Sequence, residues 1–278
     1  MTNALASEWY LLRARRVPLV VGIVWAVMVA VFAVLVPYVV YLALPASSGQ
    51  DTGAILDGVL LESSATAVLG SYPMFGGAVM LIFGILVAGP EYRWGTWTAR
   101  FTQGPTRTQV VLAKAVVAAL VAAAMTVGAH VLATLASAGV TAVEGRALTL
   151  PPLTQTLGAL AGSALIAAVW TVVGLGLSIV LRGTTLALIV GLVWSLALEN
   201  VVSGLAQVVS ALEPVRHALL GVASGSLVSG LGAPAQDAGG TPGVVSVLST
   251  PTALLVMAAY AAVALLAATL LARRRDIA

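Results

Sequence analysis

An uninterrupted apolar stretch near the N-terminus decides the fold class. Residues 17–44 read VPLVVGIVWAVMVAVFAVLVPYVVYLAL, without a charged side chain. A helix needs about 20 apolar residues to cross the hydrocarbon core of a bilayer. A secretory signal has an apolar core of only about 7–15 residues. Although Arg13, Arg15 and Arg16 precede the stretch as basic residues precede a signal core, its length predicts a retained membrane-spanning helix.

The rest of the chain has the same character. Of its 278 residues, 60% are hydrophobic and 8% are charged, whereas an ordinary soluble domain has about 25% charged residues. Lipid offers the backbone no water to bond, so each span must be helical, and the runs are too long for the strands of a membrane barrel. We therefore expect an all-α polytopic membrane protein, with residues 1–278 as a single transmembrane domain. Six spans are predicted, at about 18–44, 65–88, 109–138, 153–181, 185–212 and 252–272.

The basic residues predict the orientation of these spans. Lys and Arg are enriched in the cytoplasmic loops of membrane proteins. All but two of the 13 basic residues lie before span 1, between spans 2 and 3, between spans 4 and 5, or after span 6; the two others are Arg146 and Arg216. We therefore expect both termini in the cytoplasm, and a multi-pass protein of the plasma membrane.

Two segments outside the spans also have recognisable patterns. Residues 2–16 place Leu5, Trp9 and Leu12 on one face, which predicts an interfacial elbow helix; the alternative is an ordinary basic flank. The long outer segment 213–250 contains enough leucine and valine for short helices before span 6. This segment is predicted to be either a re-entrant hairpin or a surface loop.

The most informative polar stretch lies between spans 2 and 3. Residues 89–105 read GPEYRWGTWTARFTQGP. Gly89 and Pro90 predict the end of span 2. Trp94, Trp97 and Phe101 then recur on one face of a short amphipathic helix at about 91–103. The residues alone leave two functions open, a membrane-surface anchor or a docking element that receives force from a soluble partner.

This loop resembles the signature loop of type-2 ABC exporter permeases, the membrane subunits of bacterial ABC exporters. Glu91-Tyr-Arg-Trp-Gly-Thr-Trp is followed by Gly104-Pro-Thr-Arg107 and by Ala113-Lys114. These stretches are similar to the family's acidic residue, basic residue, Gly-Thr, short helix, Pro-x-Arg and Ala-Lys. Trp97 stands where the family usually has an aliphatic residue. The elbow helix, six spans and long outer segment also resemble the family plan over the whole chain.

The resemblance implies a set of partners and a role for the loop. Two permeases, identical or related, would assemble with two copies of a cytoplasmic ABC ATPase. The loop would form a coupling helix that sits in a groove of the ATPase. The expected coupling residues are Glu91, Tyr92, Arg93, Trp94, Gly95, Thr96, Trp97, Arg100 and Phe101.

The sequence predicts no chemistry on this chain itself. It lacks the Gly-x-x-x-x-Gly-Lys-Ser/Thr loop that holds ATP phosphates. Two histidines and no cysteine leave little for a metal or nucleophilic site. We expect no enzyme activity, no cofactor, no metal and no nucleic-acid partner, with ATP and Mg²⁺ bound by the partner ATPase and membrane lipid as the surroundings.

Polar and bulky side chains within the spans are candidates for a substrate path. Ionisable residues inside a membrane are costly and are functional candidates by default. Glu199 and Asn200 lie in span 5, and Arg216 and His217 are possible partners of Glu199. Pro73 interrupts span 2, where Tyr72, Met74 and Phe75 lie beside it. The candidates for the path are therefore Tyr72, Met74, Phe75, Glu199 and Asn200. For each, ordinary packing or hydrogen bonding is the alternative; for His130 in span 3, interhelical hydrogen bonding is favoured.

Taken with these patterns, the resemblance implies the permease of an exporter that works by alternating access. The scarcity of membrane charge favours an amphipathic or hydrophobic substrate, such as a drug, a peptide antibiotic or a lipid-like molecule. An ion-coupled secondary transporter is an alternative, but it would need several intramembrane coupling groups or two matching broken helices. The other alternative is a non-transporting scaffold or an intramembrane enzyme.

Overall fold

The computed structural model describes residues 1–44, 51–97, 106–238 and 240–274. In these ranges the chain is helical and contains no strand. Six helices are long and apolar enough to cross a membrane, which confirms the prediction of an all-α protein with six spans. In chain order, spans 1 to 6 are Val17–Ala43, Leu61–Arg93, Arg107–Val143, Leu153–Val180, Thr184–Ala206 and Thr250–Arg274.

The ends of three spans differ from the prediction, and span 3 continues to Val143 rather than 138. Span 2 does not stop at Gly89 and Pro90, because Gly89 keeps helical dihedrals and the chain continues as the helical turn Pro90–Arg93. Proline is tolerated there because the first turn of a helix needs no N–H from it. Span 5 ends at Ala206 rather than 212, since the chain becomes extended at Val209 before a short helix at Glu213–His217.

A separate helix, Thr2–Ala14, precedes span 1 and packs against span 3. Its buried residues are Ala4, Glu8 and Leu12. Trp9 is half exposed and Leu12 is buried, and the predicted common face of Leu5, Trp9 and Leu12 on an interfacial helix stays a prediction. The helix is rotated so that the carboxylate of Glu8, rather than the indole of Trp9, points into the protein. Its placement at a membrane surface stays a prediction.

The backbones of spans 2 and 4 are in close contact. Gly84 lies against the backbone of Thr171, and Gly174 lies against the backbone of Leu81, so neither site has room for a side chain. The Thr171 hydroxyl donates a 3.3 Å hydrogen bond to the carbonyl of Met80. Small residues let helix backbones approach in this way when lipid supplies no hydrophobic drive.

An additional short helix, Leu220–Gly230, is inserted between the spans and is named here the half-helix. Trp170, near the middle of span 4, donates a 3.1 Å hydrogen bond from its indole to the hydroxyl of Ser224. The chain returns beside the half-helix, where Leu248 donates its N–H to Ser226. A half-helix with a returning segment is the geometry of a hairpin, so the segment 213–250 is not a simple surface loop.

Candidate functional site

Four charged side chains form a buried ion-pair cluster at the end of the bundle where the N-terminal helix lies and where the described part of span 6 ends. The ammonium of Lys114 lies 2.7 Å from a carboxylate oxygen of Glu91 and 2.8 Å from one of Glu8. Arg15 binds the same oxygen of Glu91 at 2.8 Å. Lys114 is 2% exposed and Glu91 is fully buried. Among the described residues, the cluster contains two cations and two carboxylates.

Three separate parts of the chain supply the ion-pair cluster. Glu8 comes from Thr2–Ala14, Glu91 from the end of span 2, and Lys114 from the first turns of span 3. Span 3 begins at a capping box in which Thr106 and Gln109 exchange side-chain-to-backbone hydrogen bonds. Removing one partner from a buried ion pair is strongly destabilising. The cluster consequently fixes the end of span 2, and with it the start of the following loop, relative to two other helices.

The aromatic residues of this loop fall into two different environments. Trp97 is 2% exposed, and the Lys114 ammonium lies 5.4 Å from the centre of its ring. Trp94 is 63% exposed. Gly95, between them, has a positive φ of 63°, which turns the backbone. The prediction that Trp94 and Trp97 share one face of a helix is therefore wrong.

The predicted coupling residues that the structure describes divide into an inner and an outer group. Tyr92 donates from its hydroxyl to the carbonyl of Ile179, and Thr96 donates to the carbonyl of Glu91. Arg93 and Trp94 face outward. Arg100 and Phe101 lie outside the described residues, so the predicted helix 91–103 is described only as far as Trp97. The inner group is Glu91, Tyr92, Thr96 and Trp97, and the outer group is Arg93, Trp94 and Gly95.

A polar cavity of about 460 Å³ lies toward the opposite end of the bundle, between spans 2 and 5 and the half-helix. Four of the five predicted path residues line it, namely Met74, Phe75, Glu199 and Asn200. Tyr72 does not. Its buried hydroxyl accepts a 3.1 Å hydrogen bond from the indole of Trp25, and the two rings meet edge to face. Tyr72 therefore packs spans 1 and 2 together rather than facing the cavity.

Glu199 is the buried carboxylate of this cavity, with 6% of the residue exposed. It accepts a 3.0 Å hydrogen bond from the indole of Trp194 and a 2.8 Å bond from the backbone N–H of Gly221. The expected partners, Arg216 and His217, instead lie 3.4 and 3.3 Å from Glu213. Arg216 and His217 follow Glu213 on the same short helix, so they pair with Glu213 and not with Glu199.

Two other polar residues bond within their own helices. Asn200 donates its side-chain amide to the carbonyl of Leu196 at 2.9 Å. A ring nitrogen of His130 lies 2.9 Å from the carbonyl of Thr126, one turn earlier. Among the described residues, His130 therefore makes no hydrogen bond to another helix, as its predicted interhelical role would require. Those residues also contain no group of three His, Cys, Asp or Glu side chains that could hold a metal ion.

Glu8 and Arg15 are site residues that the sequence did not reveal. The available signal was the spacing of Ala4, Glu8 and Leu12, which places a carboxylate on an otherwise apolar helix face. A charge at such a position needs a partner of opposite sign.

Comparison with protein-family models and with curated proteins finds no match to this sequence. The ion-pair cluster and the polar cavity are our two candidate functional sites.

Proposed function

We propose that this chain is the permease of an ATP-driven exporter of the type-2 ABC class. The ion-pair cluster is the observation that carries the proposal. It links the loop after span 2 to the N-terminal helix and to span 3 through Glu91 and Lys114. A soluble partner that pushes on this loop would move three helices together, which is what a coupling element requires.

The outer group of loop residues provides the proposed docking surface. Arg93 and Trp94 are exposed beside the buried anchor formed by Glu91 and Trp97. A tryptophan and an arginine next to each other are typical of the residues that contribute most to binding at interfaces. We infer that they contact an ABC ATPase subunit, which would hold the ATP and Mg²⁺.

The distribution of charge supports a cytoplasmic location for this surface. Among the described residues, the end of the bundle with both termini has nine cations and the carboxylates of Glu8 and Glu91 alone. Cations concentrate on the cytoplasmic side of membrane proteins, and this orientation in the plasma membrane would bring the loop to the compartment that holds ATP. The nine are Arg13, Arg15, Arg16, Arg93, Arg107, Lys114, Arg182, Arg273 and Arg274.

The polar cavity supports the proposed substrate class. Its volume of about 460 Å³ is in the range of about 300–1,000 Å³ that small-molecule sites occupy. Met74 and Phe75 give it an apolar wall, and Glu199 and Asn200 a polar one. Such a site suits an amphipathic molecule, such as a drug, a peptide antibiotic or a lipid-like compound. We infer that a second permease, identical or related, completes the path.

Purification of the native complex tests the proposal. The full chain, extracted in a mild detergent, should bring with it a stoichiometric soluble ATPase identifiable by mass spectrometry. Arg93→Glu and Trp94→Ala should each reduce that ATPase by most of its amount, while the chain still inserts and unfolds at the original temperature. Tyr10→Ala is the matched control, because Tyr10 is an exposed aromatic residue of the N-terminal helix. Purification without any ATPase would contradict the proposal.

An ion-coupled secondary transporter is the second candidate function. It is favoured by Glu199, a buried carboxylate that lines a cavity. The two candidates differ in their energy source. Export that stops when ATP is depleted but persists when the proton gradient is collapsed supports the ABC assignment. The reverse result supports the ion-coupled transporter.

A further inference from the structure

An apolar groove runs along the outside of the bundle between the N-terminal helix, span 1 and span 3. Its volume is about 530 Å³. Small residues on facing helices create it, chiefly Gly22 of span 1 and Gly128 of span 3, and Met125 forms part of its floor. Nothing lies within 4 Å of the position where a side chain at Gly128 would begin. The groove is therefore an open, elongated space with apolar walls.

The mouth of the groove is aromatic and positively charged. Trp9 and Arg13 line it on the N-terminal helix, followed by Arg15. Tryptophan is enriched at the level of lipid headgroups. The apolar walls extend from there along span 1 through Leu19, which is largely exposed, to Ala26. If the acyl chain of a lipid follows the apolar walls, its headgroup consequently lies at the polar end of the groove.

Of the two arginines at the mouth, Arg15 pairs with Glu91, but the charge of Arg13 is not neutralised by the described part of the protein. Both carboxylates described at this end, Glu8 and Glu91, bind Lys114 or Arg15 in the ion-pair cluster. Arg13 and Arg16 make no hydrogen bond or ion pair with any described part of the chain. Basic pockets between membrane helices bind anionic headgroups on the cytoplasmic side. The groove thus combines a site for an acyl chain with a site for a negative headgroup.

We propose that this groove binds an anionic phospholipid, with one acyl chain between spans 1 and 3 and its phosphate beside Arg13. The bound lipid would cover the face of the protein between the N-terminal helix and span 3. It would also hold the N-terminal helix, which carries Glu8 of the ion-pair cluster, against the bundle. The proposal concerns the chain alone and does not depend on transport or on an ATPase.

Native mass spectrometry of the purified full chain tests the proposal. The delipidated chain in detergent is titrated with phosphatidylglycerol, and separately with phosphatidylcholine that has the same acyl chains. We expect one retained phosphatidylglycerol and a preference over phosphatidylcholine of about fivefold for each arginine that contacts the headgroup. Gly128→Leu should fill the groove and abolish the retention. Arg13→Gln should leave retention of both lipids but remove most of the preference.

Gly139→Leu is the matched control for the groove. Gly139 lies on the same span, is exposed, and also has open space around it, but it does not line the groove. Retention of phosphatidylglycerol by Gly128→Leu at the level of Gly139→Leu would overturn the proposal. The chain could instead form a dimer that Gly128→Leu disrupts and that added lipid does not affect. That result would assign the groove to a second copy of this chain. Arg13→Gln changes an exposed side chain, so an undiminished preference in that variant would overturn the headgroup contact even if Gly128→Leu fails to fold.

Discussion

The carboxylate of Glu199 in span 5 caps the half-helix, because its Oε2 atom accepts a 2.8 Å hydrogen bond from the backbone N–H of Gly221. The first N–H groups of a helix have no partner within the helix, and a negative charge placed there is favourable. The same carboxylate holds the indole of Trp194. One residue therefore joins span 5, the half-helix and the wall of the polar cavity.

Substitutions at Glu199 should separate its structural role from a role in transport. Glu199→Gln removes the charge and keeps a single acceptor oxygen, so either Gly221 or Trp194 loses its acceptor and we expect a small decrease in the melting temperature. Glu199→Leu removes the acceptor and should destabilise the protein by about 1–3 kcal/mol. Thermal unfolding in detergent and export from cells are the two measurements. If the carboxylate serves transport, export falls in both variants.

Glu213→Gln is the control for charge at this end of the bundle. Glu213 is partly exposed and pairs with Arg216 and His217 on its own helix. This variant should unfold and export as the original chain does. Export by Glu199→Gln at the control level would restrict Glu199 to capping the half-helix.

Tyr72 and Met74 should respond in opposite ways although they are two residues apart. Tyr72→Phe deprives the Trp25 indole of its acceptor, and a buried donor left without a partner costs about 1–3 kcal/mol. We expect a lower melting temperature and unchanged substrate selectivity. Met74→Ala changes the cavity wall, so selectivity should change more than stability. Equal effects of the two substitutions on selectivity would contradict this assignment.

Loss of the central lysine should be the most destabilising single change in the ion-pair cluster. Lys114→Met leaves Glu8 and Glu91 buried without their shared cation, and breaking such a pair costs about 3–5 kcal/mol. Adding Glu8→Gln to Lys114→Met should recover part of the lost stability, because one buried charge is then removed. The measurement is a double-mutant cycle on the melting temperature, with Arg16→Met as the exposed control. If the effects of Lys114→Met and Glu8→Gln on the melting temperature were additive, the two residues would not interact, which would contradict the ion-pair cluster.

The contact between spans 2 and 4 predicts a sharp difference between two glycines. Gly174→Ala would place a methyl group against the backbone of Leu81, so the spans must move apart at a cost of about 1–3 kcal/mol. Gly139→Ala meets open space and should gain up to about 1 kcal/mol from helix propensity. Unfolding temperatures of the two variants in the same detergent test this directly. A neutral Gly174→Ala would mean that the spans are less tightly packed than described.

The sequence predicted the six spans because length and hydropathy alone determine which helices can cross a bilayer. It failed at the end of span 2, where Gly89 and Pro90 usually terminate a helix but here continue it. It failed again at Trp94 and Trp97, because helical spacing does not reveal the turn that Gly95 introduces. Local pattern rules describe one segment at a time and do not include what packs against it.

The candidate sites were predictable only in part for a related reason. Met74, Phe75 and Glu199 were selected as unusual residues within apolar spans, and the fold brings them to one cavity. The partner of Glu199 was not predictable, because Gly221 contributes a backbone N–H rather than a side chain. Glu8 was missed because its partner, Lys114, is 106 residues away in sequence.

That separation also has a consequence for how the chain is made. Glu8 is synthesised before spans 1 and 2, whereas Lys114 follows only after both spans are complete. Until span 3 is delivered to the membrane, the N-terminal helix has neither its cation nor the helix surface on which it packs. The N-terminal helix therefore reaches its final position only after span 3 has entered the membrane, although spans 1 and 2 separate the two helices in sequence.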